Sequence, residues 1–277
     1  MKQKKNLKRL ALALFGVGVA AVLVACGGGG GSSDRESPQG LGVGSAIAWT
    51  PGTLAFSINP GGRQDIPVTF TSSVALTNVS VQVVPELRNI VSVTPTSFAS
   101  LAAGQNATVT LTFAPSATES LRLVQGTIRL VVGTSTVAKP LSVSLTLIAP
   151  QLVNGIAVPP EPPPALNNAT LAGFDTNRNG VRDDVERLIV REFGSQPTKL
   201  ASLLTYSKFQ QAILVDGTSN TILASSRHYV CSGLVASDTT PQSQALLNTG
   251  DRRRLYKETM VRAPAIPVGS FMHSCGQ

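Results

Sequence analysis

The chain has 277 residues, a formal charge of +8 and only 14% charged residues, well below the roughly 25% of an average soluble protein. Five of its 23 Lys/Arg sit at Lys2, Lys4, Lys5, Lys8 and Arg9, so the rest of the chain carries 18 bases against 15 acids. That near balance argues against a nucleic-acid partner, which requires a basic face rather than a basic leader.

Residues 1–25 read as an export signal: a basic start, then an uncharged apolar or small stretch over 10–25. As a helix this stretch spans about 24 Å, short of the ~30 Å hydrocarbon core, so it reads as a cleavable signal rather than a spanning helix. Leu23-Val24-Ala25-Cys26 resembles the bacterial lipobox. The resemblance implies cleavage after Ala25, acylation of Cys26 with palmitate-type chains, and membrane attachment through that lipid. Because residue 27 is glycine and not aspartate, the sorting pattern of that family implies the outer membrane. Each buried methylene contributes about 0.8 kcal/mol, so several acyl chains suffice without a spanning helix. Residues 26–45, with glycine at every position from Gly27 to Gly31, form a Gly/Ser-rich tether.

Residues 46–149 alternate with period two between turn signals. Strands are expected over 53–58, 66–71, 76–84, 90–94, 107–113, 126–132 and 141–148, with Asn59-Pro60-Gly61-Gly62 as a turn. In 107–113, Val109, Leu111 and Phe113 fall on one face and threonines on the other. Seven short strands with only eight charged positions between 46 and 149 predict an antiparallel sandwich. Leu101-Ala-Ala-Gly-Gln105, Val109-x-Leu-x-Phe-Ala-Pro115 and Gly126-Thr-Ile resemble the Hydin-type bacterial immunoglobulin-like domains. The resemblance implies an immunoglobulin-like β-sandwich that acts as a spacer or a protein-binding surface. Trp49, the single tryptophan, reads as a core or edge anchor.

Residues 150–168 form a Pro-rich linker, with six prolines between 150 and 164. Fixed φ and missing donors predict an extended, semi-rigid spacer between two domains. Residues 169–277 then read as a small, mainly α domain that opens on a loop. Asp175, Asn177, Asn179, Asp183 and Glu186 place oxygen side chains at loop positions 1, 3, 5, 9 and 12, with Gly180 at position 6. A hard cation takes six to eight oxygens at about 2.3–2.6 Å, and the Val181 carbonyl supplies a further one. The run resembles EF-hand loops and, more closely, thrombospondin type 3 and dockerin repeats. The resemblance implies a calcium site ligated by Asp175, Asn177, Asn179, Val181 (backbone), Asp183 and Glu186. No helix is evident before the loop, and position 8 is Arg182 rather than an apolar residue, which argues against a paired, switching sensor. The alternative is an Asx-rich turn that caps the next helix.

Helices are expected over 182–193, 197–215, 221–235 and 251–262. The stretch Gly173–Arg187, together with Asn248-Thr-x-x-Arg252-x-x-x-Tyr256, resembles small exported proteobacterial proteins without assigned activity. The charge run Arg252-Arg253-Arg254 with Lys257 reads as a solvated helix face. With Cys26 acylated, Cys231 and Cys275 remain as an even pair, which most simply forms a disulfide in an oxidising compartment. Zinc on His228-x-x-Cys231 and His273-x-Cys275, or a thiol nucleophile, are the rivals. The functional expectation is a non-enzymatic envelope lipoprotein with a structural calcium ion and an envelope or surface protein partner. Two alternatives stand beside it: an envelope hydrolase with His228 or His273 as base, and a passive spacer.

Overall fold

The structure, a computed structural model, describes residues 47–262 and Cys275. The expected leader, Cys26, the tether and His273 lie outside the described residues. Alternation of small polar and apolar residues builds two sheets. The first is ordered β1 (Ile47–Thr50), β3 (Gln64–Ser72), β7 (Asn106–Phe113), β5 (Val91–Thr94). The second is ordered β2 (Thr53–Ile58), β10 (Leu141–Leu147), β8 (Leu123–Val132), β4 (Leu76–Val83), β6 (Ser97–Leu101), with β9 (Ser135–Thr136) pairing β8.

Period two sends every second side chain inward. Ile66, Val68 and Phe70 of β3, and Val109, Leu111 and Phe113 of β7, meet Leu54, Phe56 and Ile58 of β2 and Leu141, Val143 and Leu145 of β10 in one buried cluster. Rings join the two sheets: Phe56 meets Phe113 edge-on at 4.9 Å, and Phe70 meets Phe98 at 5.6 Å. Trp49 belongs to the same core, edge-on to Phe70. The β2–β10 pair is parallel, Leu54 opposite Val143 and Phe56 opposite Leu145, where a wholly antiparallel sandwich was expected. The chain crosses from the first sheet into the second between β1 and β2, and β10 returns beside β2 in the same direction.

Gly126 of β8 sits beneath a 3-10 turn, Pro85–Leu87. A Cβ there would lie 2.8 Å from Leu87 Cδ1 and from Val84 Cγ2, and Leu87 is fully buried. Gly126→Val is therefore expected to destabilise by about 1–3 kcal/mol through overpacking, read as a lower urea midpoint at unchanged slope.

The segment expected as a bare spacer carries a hairpin of its own. β11 (Gln151–Val153) and β12 (Ile156–Val158) pair around Asn154-Gly155, both at positive φ, as a two-residue hairpin turn requires. Asn154 Nδ2 donates to the Val190 and Arg191 carbonyls at 3.0 and 2.9 Å, and Arg187 donates to the Pro159 carbonyl at 2.7 Å. Pro159, Pro160 and Pro162 are buried. This stretch is thereby fastened along α2 (Asp183–Phe193).

After the short α1 (Pro164–Asn167), α2 is followed by α3 (Pro197–Val215), α4 (Ser219–Cys231), α5 (Ala236–Leu246) and α6 (Gly250–Arg262). Val185 and Ile189, one turn apart on α2, join Val181, Leu203, Leu214, Leu234 and Leu246 in a second core. The α4 cysteine, Cys231, is bonded to Cys275 with a Cα–Cα distance of 5.1 Å. No described helix is long and apolar enough to cross a membrane.

Candidate functional site

The oxygen-rich loop lies where the two cores meet. Phe174, just before it, is buried in the sandwich core and touches Phe56 edge-on at 5.4 Å. Val181, within it, is buried in the helical core. Two apolar anchors seven residues apart thus sit in different cores. Backbone contacts add to them: Arg63 N–H donates to the Thr176 carbonyl at 2.9 Å, and the Asp175 N–H donates to Gln64 Oε1 at 3.3 Å.

Within the loop the side chains fold inward onto backbone donors. Asp175 accepts from the Asn179 and Gly180 N–H groups at 3.1 and 2.9 Å. Asn177 Oδ1 accepts from Asn179 N–H, and Asn179 Oδ1 accepts from Val181 N–H at 2.8 Å. Gly180 has φ +86°, and the aliphatic stem of Lys208 lies across it, so only glycine makes this bend without strain. Glu186 reaches back from the first turn of α2 and accepts from Asn177 Nδ2 at 3.0 Å. The structure therefore brings Asp175, Asn177, Asn179 and Glu186 into one hydrogen-bonded ring. Asp183 stands differently. Both its oxygens face Thr176, accepting from the N–H at 3.0 Å and the hydroxyl at 2.9 Å, so it braces the loop from behind. Among the described residues no three His, Cys, Asp or Glu side chains converge as a ligand cluster. The ring mixes two carboxylates with two amides.

Burial pushes all three carboxyls upward. Asp183 rises to about 7, chiefly by desolvation, against the hydrogen bonds from Thr176, with Asp175 and Glu186 adding repulsion. Desolvation also raises Asp175 and Glu186, and Asp175 repels Glu186 further. Buried acids that repel one another fit a cation, and the donors present are hard oxygens of the kind calcium takes. The sign of the pH dependence follows. A carboxyl raised in the folded state adds stability below its unfolded value of 3.8, and that contribution is lost as pH rises through the folded value, about 7 for Asp183. In chelator, stability is thus expected to fall between about pH 4 and 7, with Asp183→Asn flattening the slope in thermal melts across that range.

Two buried arginines frame the loop. Arg182 is fully buried, pairs with Asp184 through Nη2 at 3.0 Å, and donates to the Ala245 and Leu246 carbonyls at the end of α5. Its departure from the EF-hand pattern at position 8 thus has a packing role. Arg252, read in the sequence as part of a solvated face, is fully buried, whereas Arg253 and Arg254 are exposed. Its guanidinium donates to the Asn167, Thr170 and Leu171 carbonyls and to the side chains of Asn168 and Asn248. Burial, with Arg182 adding like charge, pushes it down to about 10, so it stays cationic at neutral pH. Gly173 fits between both arginines at φ +66°.

His228 donates through Nε2–H to the Ser202 carbonyl, 2.8 Å away, and its ring lies tilted beside Phe209. The bonded Cys231 has no free thiol for nucleophilic chemistry.

No protein-family model matches the chain, and no curated protein is similar to it in sequence. Several solved structures match part of the chain at low similarity. A family 123 glycoside hydrolase from Clostridium perfringens is 12% identical over 35% of this chain and 23% of its own, with a TM-score of 0.28. A protein of unknown function from Porphyromonas gingivalis W83 is 15% identical over 38% and 48%, at 0.29. The E. coli chaperone DraB is 12% identical over 37% and 54%, at 0.26. The chain thus spans from about a quarter to about half the length of these proteins.

Proposed function

We propose that the protein is a non-enzymatic lipoprotein of the bacterial envelope, anchored through an acylated Cys26. Its immunoglobulin-like sandwich carries the helical region as a surface for another envelope component, and an EF-hand-like calcium loop fixes the joint between them. The observation that carries this reading is the seating of Phe174 and Val181 in two different cores, with a ring of hard oxygens between them. A loop in that position sets the mutual placement of sandwich and helices, so ordering it is a structural task. Asp175, Asn177, Asn179 and Glu186, with the Val181 carbonyl, would hold the ion, and Asp183 would hold the loop backbone through Thr176. Bound calcium supplies the positive charge that offsets repulsion among the buried carboxylates.

Sites of this kind outside the cytosol bind at about 10⁻⁴–10⁻³ M. At a ten- to hundredfold excess over the dissociation constant, linkage adds about 1.4–2.7 kcal/mol, or about 3–10 °C in melting temperature for a chain of this size. Isothermal titration with calcium, and melting in about 10 mM calcium against EDTA, are expected to show both the heat and the shift. Asp175→Ala and Glu186→Gln are expected to lose both. Identical melts with and without calcium, together with no heat, would remove the metal from the proposal.

A further inference from the structure

The helical region contains a cavity that the loop does not use. Helices α3, α4, α5 and α6 border about 390 Å³ of space, within the range of small-molecule pockets. All three tyrosines of the chain, Tyr206, Tyr229 and Tyr256, line it. Tyr206 and Tyr229 lie 5.6 Å apart, centroid to centroid, with their planes tilted by 47°. Ile213, Ile222 and Met260 add apolar wall. Across this wall runs one polar rung: buried Gln210 donates through Nε2 to buried Ser225 Oγ at 2.7 Å, and Gln210 also bonds the Tyr256 hydroxyl.

Among the described residues that line the cavity none is charged. A charged occupant would leave water without a counter-charge, at a cost of several kcal/mol. At 5.6 Å Tyr206 and Tyr229 already contact each other, so a ligand ring would pack edge-on or offset against the exposed side of this pair, facing Tyr256. The hydroxyls and the amide supply the few oriented polar groups that fix a ligand's pose. Burial pushes Tyr206 up to about 12 and raises Tyr256, so both phenols remain neutral donors at any envelope pH.

We propose that this cavity binds an uncharged small molecule built around an aromatic ring and bearing one hydrogen-bonding group, packed against the wall formed by Tyr206, Tyr229 and Tyr256 and oriented by Gln210. The site makes no use of calcium, and its test is independent of the metal. Because no tyrosine lies elsewhere in the chain, full-length protein labelled with 3-fluorotyrosine gives a ¹⁹F spectrum that reports on this cavity alone. Titration with indole is expected to shift the three resonances saturably, and indole-3-acetate, its carboxylate analogue, is expected to bind at least tenfold more weakly. Ile222→Trp, which fills the cavity from its floor, is expected to abolish the shift. Met260→Trp, at a half-exposed position on its rim, is expected to weaken it, and serves should the first variant fail to fold. Absence of a saturable indole shift would overturn the proposal. So would equal binding of the carboxylate, or undiminished binding by folded variants of both residues.

Discussion

The Gly173→Ala variant is expected to melt roughly 8–16 °C below the parent protein. Two separate penalties add at this residue. Its φ of +66° lies in the left-handed region, where a non-glycine residue costs about 1–3 kcal/mol. The new methyl would also collide with Arg182 Cδ and lie 2.6 Å from Asn167 Oδ1 and 3.0 Å from Arg252 Nη2. None of these atoms can retreat, because both arginines are fully buried and Asn167 nearly so, and overpacking of that kind costs about 1–3 kcal/mol more. A total on the order of 4 kcal/mol follows from the two. Gly104→Ala is the control. Gly104 has φ +76° with nothing within 4 Å of the added carbon, so it isolates the backbone term at about 1–2 kcal/mol. Equal shifts for the two variants, measured by circular dichroism, would refute the packing argument.

Arg252→Met is expected to cost about 3–5 kcal/mol. The guanidinium is the common donor for three backbone carbonyls and two amide side chains. Methionine matches its bulk but donates nothing, leaving the buried Asn167 carbonyl and the part-buried Thr170 and Leu171 carbonyls unpaired, at about 1–3 kcal/mol each before relaxation. Arg252→Lys is expected to recover only a small part of the loss, since a compact ammonium with three donors cannot span acceptors arranged around a planar fork. Urea unfolding of the three proteins measures this order directly. Lysine behaving like the parent would show that charge alone, and not the fork, holds residues 167–171.

The parts of the fold that were legible in the sequence are those governed by short-range periodicity. Asn106–Phe113 and Leu141–Leu147 show their alternation plainly, and α3 covers the expected span, opening on Pro197. Strand β6 carries no such signal, because Ser97–Leu101 buries only Leu101 and so presents no inward face. The β11–β12 hairpin was overshadowed by the neighbouring prolines, although Asn154-Gly155 is a strong turn signal. Helix α5 carries Pro241 and a run of small polar residues, and neither resembles an amphipathic stripe. In the candidate site, the spacing of Asp175, Asn177, Asn179 and Glu186 was enough to bring them together. Asp183 looked equivalent to them by position, yet its partner, Thr176, was invisible to a pattern of alternate oxygens. The roles of Arg182 and Arg252 depend on acceptors about 64 and 80 residues away in the chain, a distance over which no local pattern operates. The tyrosine-lined cavity is of the same kind: its walls come from four helices, and only assembly makes them neighbours.

The parallel pairing of β2 with β10 bears on how the protein withstands pulling. The chain enters β2 from its amino-terminal side and leaves β10 toward the helices, so traction between those two sides acts on opposite ends of neighbouring strands. Six facing residue pairs, from Thr53 opposite Ser142 to Ile58 opposite Leu147, are then strained together rather than one after another, as they would be if the strands were peeled apart like a zipper. Traction of this kind would meet a shear clamp in the β2–β10 pair.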